Sequence, residues 1–89
     1  MERNYTIRGG EIDIIATRED RTYFIEVKYR TTGDMEQLLR SVDSRKKSFL
    51  EKAITTYCDE HRIDLSQAHR WFLGILEKGG ERVVEFFEF

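Results

Sequence analysis

Apolar and polar side chains alternate along the stretch from Glu11 to Arg30. Tyr23, Ile25, Val27 and Tyr29 interleave with Phe24, Glu26, Lys28 and Arg30, and Ile12 and Ile14 interleave with Glu11 and Asp13. A period of two is what a pleated strand imposes. The polar run Arg18-Glu19-Asp20-Arg21 separates the two segments. Together they predict a hairpin closed around Glu19-Asp20, with Asp13 facing Glu26 and Glu11 facing Lys28. Those four residues then share one face, and Ile12, Ile14, Tyr23, Ile25 and Val27 line the other.

Arg3 to Ile7 is a shorter strand, ended by Gly9-Gly10, which suit a plain turn and match no phosphate-cradling loop. Thr31-Thr32-Gly33-Asp34 breaks the hairpin, and Met35 to Arg40 has room for a short helical turn. From Ser44 to His61, Phe49, Leu50, Ala53, Ile54, Tyr57 and Cys58 recur at helical spacing, with Asp43 placed as N-cap. After a loop from Ile63 to His69, Arg70 to Leu76 is apolar on both faces, as in a central strand covered on each side. Lys78-Gly79-Gly80-Glu81 predicts a turn into a last strand, Arg82 to Phe89. The order βββαββ indicates an α+β fold: a mixed sheet of about five strands with one main helix, as a single domain over residues 1–89.

Composition narrows the picture. A chain of 89 residues, 39% apolar and 12% aromatic, suits one small domain with a modest core. Its lone cysteine, Cys58, excludes an internal disulfide, and there is no signal peptide or apolar run of about 18 residues. A cytoplasmic protein with no membrane partner is therefore expected. Cys58 and His61 have the spacing of two zinc ligands, but with no second cysteine they suit a small buried residue and a helix-terminal cation better.

The net charge of −2 lacks the basic footprint of a nucleic-acid binder, yet its distribution is uneven. Residues 1–53 hold eleven Lys and Arg against ten Asp and Glu, whereas residues 54–89 hold four against seven. If acids in the first part bind metal, the surface left there is basic. Arg45, Lys46 and Lys47 lie in the first helical turn, where the macrodipole disfavours cations, so phosphate contact stands beside a merely solvated basic turn as their explanation.

Two facing carboxylates need a cation or a proton between them. Glu11, Asp13 and Glu26, with Lys28 adjacent, form a plausible site for a hard divalent ion, which takes oxygen ligands. The plainer alternative is a solvated sheet face with Glu11–Lys28 as a weak cross-strand pair. It leaves Asp13 opposite Glu26 unexplained, and Phe24 and Ile15 as apolar neighbours on a wet face.

The motif Gly10-Glu11-Ile12-Asp13-Ile14-Ile15 followed by Phe24-Ile25-Glu26-Val27-Lys28 resembles the D…(D/E)-x-K signature of the PD-(D/E)XK nuclease superfamily, with Ile12 where its name has Pro. Within it, the closest resemblance is to the YraN-like family, relatives of the Holliday junction resolvases. Arg3-Asn4, Val42 and Lys46 share in it, and it is close from about Arg3 to Tyr57. It implies a restriction-endonuclease-like core whose first helix is missing here, since nothing of helical length precedes Asn4-Tyr5-Thr6-Ile7.

The resemblance implies a metal-dependent DNA endonuclease acting on branched or otherwise structured DNA. Asp13, Glu26 and Lys28 would be catalytic, and Asp13, Glu26 and Glu11 would hold Mg²⁺ or Mn²⁺. Arg30, Arg45, Lys46 and Lys47 are the candidates for DNA contact. The alternative is a catalytically inactive module of the same fold that binds nucleic acid or assembles with a partner. A homodimer is expected as well, because Trp71, Phe72, Leu73, Ile75, Val83, Val84, Phe86, Phe87 and Phe89 exceed what one helix covers.

Overall fold

The computed structural model of the chain describes residues 2–8, 10–42 and 44–88. The hairpin forms as its alternation predicts, from β2 (Gly10–Arg18) and β3 (Arg21–Arg30). Glu19 and Asp20 make the turn, Glu19 at a φ of 58°, and the register runs from Ile14↔Ile25 to Arg18↔Arg21. On the far side of β2 lies β1 (Glu2–Ile7), antiparallel, with Tyr5 beside Ile12. β4 (Ala68–Lys78) runs parallel to β3, and β5 (Glu81–Glu88) returns antiparallel to β4. The five strands form one mixed sheet in sequence order, so the fold is α+β. Gly79 and Gly80 both have positive φ, as the tightest hairpin turns demand.

A parallel pair needs a crossover, and α1 (Met35–Arg40) with α2 (Ser44–Glu60) supplies it. Asp34 caps α1 in a reciprocal box: its carboxylate accepts from Gln37 N at 2.8 Å and Gln37 Oε1 accepts from Asp34 N at 3.0 Å. Asp43, the expected cap of α2, lies outside the described residues. The expected loop after α2 contains a short 3₁₀ turn, Leu65–Gln67, capped by Asp64, and β4 begins at Ala68, ahead of Arg70.

α2 lays Ala53, Ile54, Tyr57 and Cys58 over Ile12, Ile15 and Phe24, and this cluster is the core. Tyr57 meets the rings of Tyr5 and Phe24 edge-on, at 5.0 and 5.7 Å between centroids. Cys58 is a small buried core residue, and His61 sits just past the helix with Nδ1 2.9 Å from the Tyr57 carbonyl. Among the described residues no helix is long and apolar enough to cross a membrane.

Two expectations about faces are corrected. Ile12 does not line the face opposite Asp13 in a strictly alternating strand: Ile12 and Ile15, of opposite parity, are both in the core. Between them β2 gains a second partner, its register with β3 starting only at Ile14 while its pairing with β1 runs from Gly10 to Ile15, and the alternation slips there. β4 is central but not covered on both faces. Its Phe72 and Gly74 are buried towards the helices, whereas Trp71, Leu73 and Ile75 on the other face are half-buried. With Tyr29, Val84 and Phe86, all exposed by half or more, they form the apolar face on which the expectation of a dimer rests.

Gly74 lets α1 approach the sheet: an added Cβ would lie 2.9 Å from Met35 Sδ and 3.1 Å from Leu38 Cδ2. Leu38 is fully buried and has nowhere to move. Gly74→Ala should therefore lower stability by about 1–3 kcal/mol. The measurement is urea denaturation, with a reduced midpoint at unchanged slope.

Candidate functional site

Thr22, Phe24, Glu26 and Lys28 occupy one face of β3, the face beneath α2, so the predicted cluster lies on the helix-covered side of the sheet and not on a wet one. Glu26 is only 6% exposed. Its neighbour on β4 is the equally buried Phe72, and Lys28 lies beside Gly74. A carboxylate so placed must be neutralised or paired. Lys46, from the first turn of α2, does this: its Nζ stands 2.8 Å from Glu26 Oε1, and its side chain is 37% exposed at the rim.

Asp13 enters from β2. Its Oδ2 accepts the backbone N–H of Val27 at 2.8 Å, next to the first registered pair, Ile14↔Ile25. The carboxylate thus does for β3 what a strand carbonyl would otherwise do, and it brings the negative charge of Asp13 against Glu26. Burial above all pushes the Glu26 carboxyl upward; the bond to Lys46 opposes this, and the charge of Asp13 adds to it. Lys46 is held above the usual ammonium range, chiefly by Glu26. Lys28 is pushed down, first by burial and then by the adjacent ammonium of Lys46. Two carboxyls and two ammoniums therefore make one coupled cluster.

Of the residues expected at the site, Asp13, Glu26 and Lys28 come together. Glu11 does not join them: it is exposed and faces Thr6 across β1. Among the described residues no group of three or more His, Cys, Asp or Glu is arranged to hold a metal. Of the residues expected to meet DNA, Arg30, Arg45 and Lys47 are exposed, Arg45 with its guanidinium carbon 5.6 Å from the centre of the Phe49 ring. Lys46 turns inward. Its pairing with Glu26 was missed in the sequence, yet a signal exists there: Lys46, Leu50, Ala53, Ile54 and Tyr57 fall on one helical stripe, so the core face carried back one turn ends on Lys46.

The donor set fits a hard divalent cation, which proteins commonly hold with one or two carboxylates and complete with water and substrate oxygens. Asp13 and Glu26 are such a pair.

Comparison with known proteins places this geometry in a family. The model of uncharacterised protein family UPF0102 matches residues 1–69, which include Asp13, Glu26, Lys28 and Lys46. A UPF0102 protein of Carboxydothermus hydrogenoformans is 36% identical over 88 residues, spanning 99% of this chain and 75% of the relative. The chain belongs to the UPF0102 family. A second member, from Geobacter metallireducens, is 40% identical over 62 residues, covering 70% of this chain and 51% of its own length. A third, from Photobacterium profundum, is 28% identical over 87 residues, covering 98% and 70%. The chain thus spans between about half and three quarters of these family members.

The two roles of Asp13 separate by mutation. Asp13→Asn keeps an oxygen for the Val27 N–H and removes the repulsion on Glu26, so the metal-free variant should be at least as stable as wild type. Asp13→Ala orphans that N–H and should cost about 1 kcal/mol. Urea denaturation in metal-free buffer separates them, and equal losses in both variants would show that the charge, not the acceptor, matters to the fold.

Glu26 also predicts a pH dependence. Its folded pKa lies above the ordinary value of 4.5, so the folded state holds the proton more tightly than the unfolded chain. The stability this confers is complete below the ordinary value and lost as pH rises through the elevated one. Denaturation midpoints of wild type should fall over that window relative to those of Glu26→Gln, which cannot titrate; parallel profiles would exclude the shift.

Proposed function

We propose that this chain is a divalent-metal-dependent phosphodiesterase acting on DNA, an endonuclease for branched or otherwise structured substrates. The observation that supports this best is the meeting of Asp13 and Glu26 at the end of the β2–β3 pairing, with Lys28 next along the same face of β3. That constellation follows the D…(D/E)-x-K signature of the PD-(D/E)XK nucleases, which the sequence resembles.

Asp13 and Glu26 would hold the metal, which when bound neutralises charge on the scissile phosphate and acidifies a coordinated water. Asp13 is fixed for this by the Val27 N–H and Glu26 by the close cover of α2. Lys28, an ammonium depressed by burial and by Lys46, gives up its proton more readily than a surface lysine. It is thereby suited to orient the attacking water, take its proton and steady the developing oxyanion. Arg30, Arg45 and Lys47 stand exposed to contact backbone phosphates, which position a nucleic acid without reading its sequence.

A second reading, a nuclease-fold module without turnover, draws on the ion pair itself: Lys46 already neutralises Glu26, and among the described residues no third acidic ligand is gathered. It predicts DNA affinity that Asp13→Asn leaves unchanged or improved, with no cleavage by wild type.

The deciding experiment incubates purified protein with single-stranded, duplex and branched DNA and Mg²⁺ or Mn²⁺. Cleavage by wild type should be abolished in Asp13→Asn and Glu26→Gln. Lys28→Ala should also abolish it while largely sparing metal affinity, because an ammonium is no ligand. Wild-type protein that cuts none of these DNAs and binds neither metal would refute the proposal.

A further inference from the structure

Lys46 is more than the partner of one glutamate. Its ammonium bonds Glu26 at 2.8 Å, feels the charge of Asp13, and adjoins the ammonium of Lys28. A single positive charge thus sits against both carboxylates that the proposed function assigns to the metal. A divalent cation bound by those carboxylates and the ammonium of Lys46 demand the same lone pairs and repel one another. They cannot both be fully engaged.

We infer that Lys46 is an internal competitor for the metal: it keeps the Asp13–Glu26 site assembled and neutral without metal, and it must withdraw from Glu26 when a divalent ion binds. The anatomy allows withdrawal. Lys46 stands in the first turn of α2 on a flexible four-carbon stem and is 37% exposed, whereas Glu26 is held beneath the helix and cannot follow. The exchange leaves α2 in place, because Leu50, Ala53, Ile54 and Tyr57 anchor it independently of the ion pair.

This inference rests on the metal-binding reading of Asp13 and Glu26, and the test separates the two. Calorimetric titration with MnCl₂ would compare full-length wild type, Lys46→Met, Lys46→Arg and Asp13→Asn. Lys46→Met should bind Mn²⁺ about tenfold more tightly than wild type, and Lys46→Arg, which keeps a cation, much as wild type does. Without metal Lys46→Met should melt below wild type, and saturating Mn²⁺ should raise its melting temperature by more than it raises that of wild type. If metal-free Lys46→Met does not fold, Lys46→Gln, neutral but still a hydrogen-bond donor, replaces it. Binding by Lys46→Met alone, with none by wild type, would support the inference in its strongest form. Equal or weaker binding by Lys46→Met, with wild type binding and Asp13→Asn deficient, would overturn the competitor role and leave the metal site standing. Binding by no variant would overturn both.

Discussion

A carboxylate buried between a sheet and a helix sets the terms for much of this molecule. Glu26 lies on β3, in the middle of the five-stranded sheet, and it has lost nearly all its contact with water. An isolated charge there would be far too costly to keep, so something must deliver a counter-ion or a proton. Lys46 delivers the counter-ion from the first turn of α2. With Lys46 over Glu26, the next turns of the helix bury Leu50 and bring Ala53, Ile54 and Tyr57 into one cluster with Ile15, Phe24 and Ile12. The polar contact and the apolar stripe are one face of one helix.

Asp13 depends on a different constraint. β2 serves two neighbours, pairing with β1 from Gly10 to Ile15 and with β3 only from Ile14 onward. Where the strands part, β3 would be left with an unpartnered N–H at Val27, and the Asp13 side chain fills that need. The same parting lets Ile12 and Ile15 both turn into the core. A departure from regular pairing thereby produces a place in the hairpin where an acidic side chain reaches across to the next strand.

Much of this was legible in the sequence. Strict alternation through Tyr23–Arg30 fixed the strand and its register, and the pairing of Gly79 with Gly80 fixed the last turn. Asp13 and Glu26 were correctly brought together because register follows from alternation and turn length. The slip at Ile12 was not legible, because it lies where β2 has β1 as a neighbour but is not yet registered with β3, a property of the whole sheet. The inward turn of Lys46 was hidden for another reason. Lysine in a first helical turn suggests a solvated face, and only extending the buried stripe back from Leu50 shows that it points to the sheet. Glu11 lies apart from the site because the registered pairing of β2 with β3 begins only at Ile14↔Ile25, so no pair forms between Glu11 and Lys28, and Glu11 faces Thr6 of β1 instead.

The presence of an ion pair at this depth is not explained by stability. Replacing a buried pair with apolar side chains of similar size is often neutral or stabilising, whereas removing one member alone is strongly destabilising. A domain selected only to fold would do as well with a leucine and a methionine at these two positions. Lys46 beside Glu26 and Asp13 instead leaves two carboxyls preassembled next to a counter-ion carried on a flexible stem at the rim of the site. It also places a second ammonium against Lys28, lowering the latter's hold on its proton. Both consequences matter little to a structural sheet and a great deal to a site that must exchange cations and move protons.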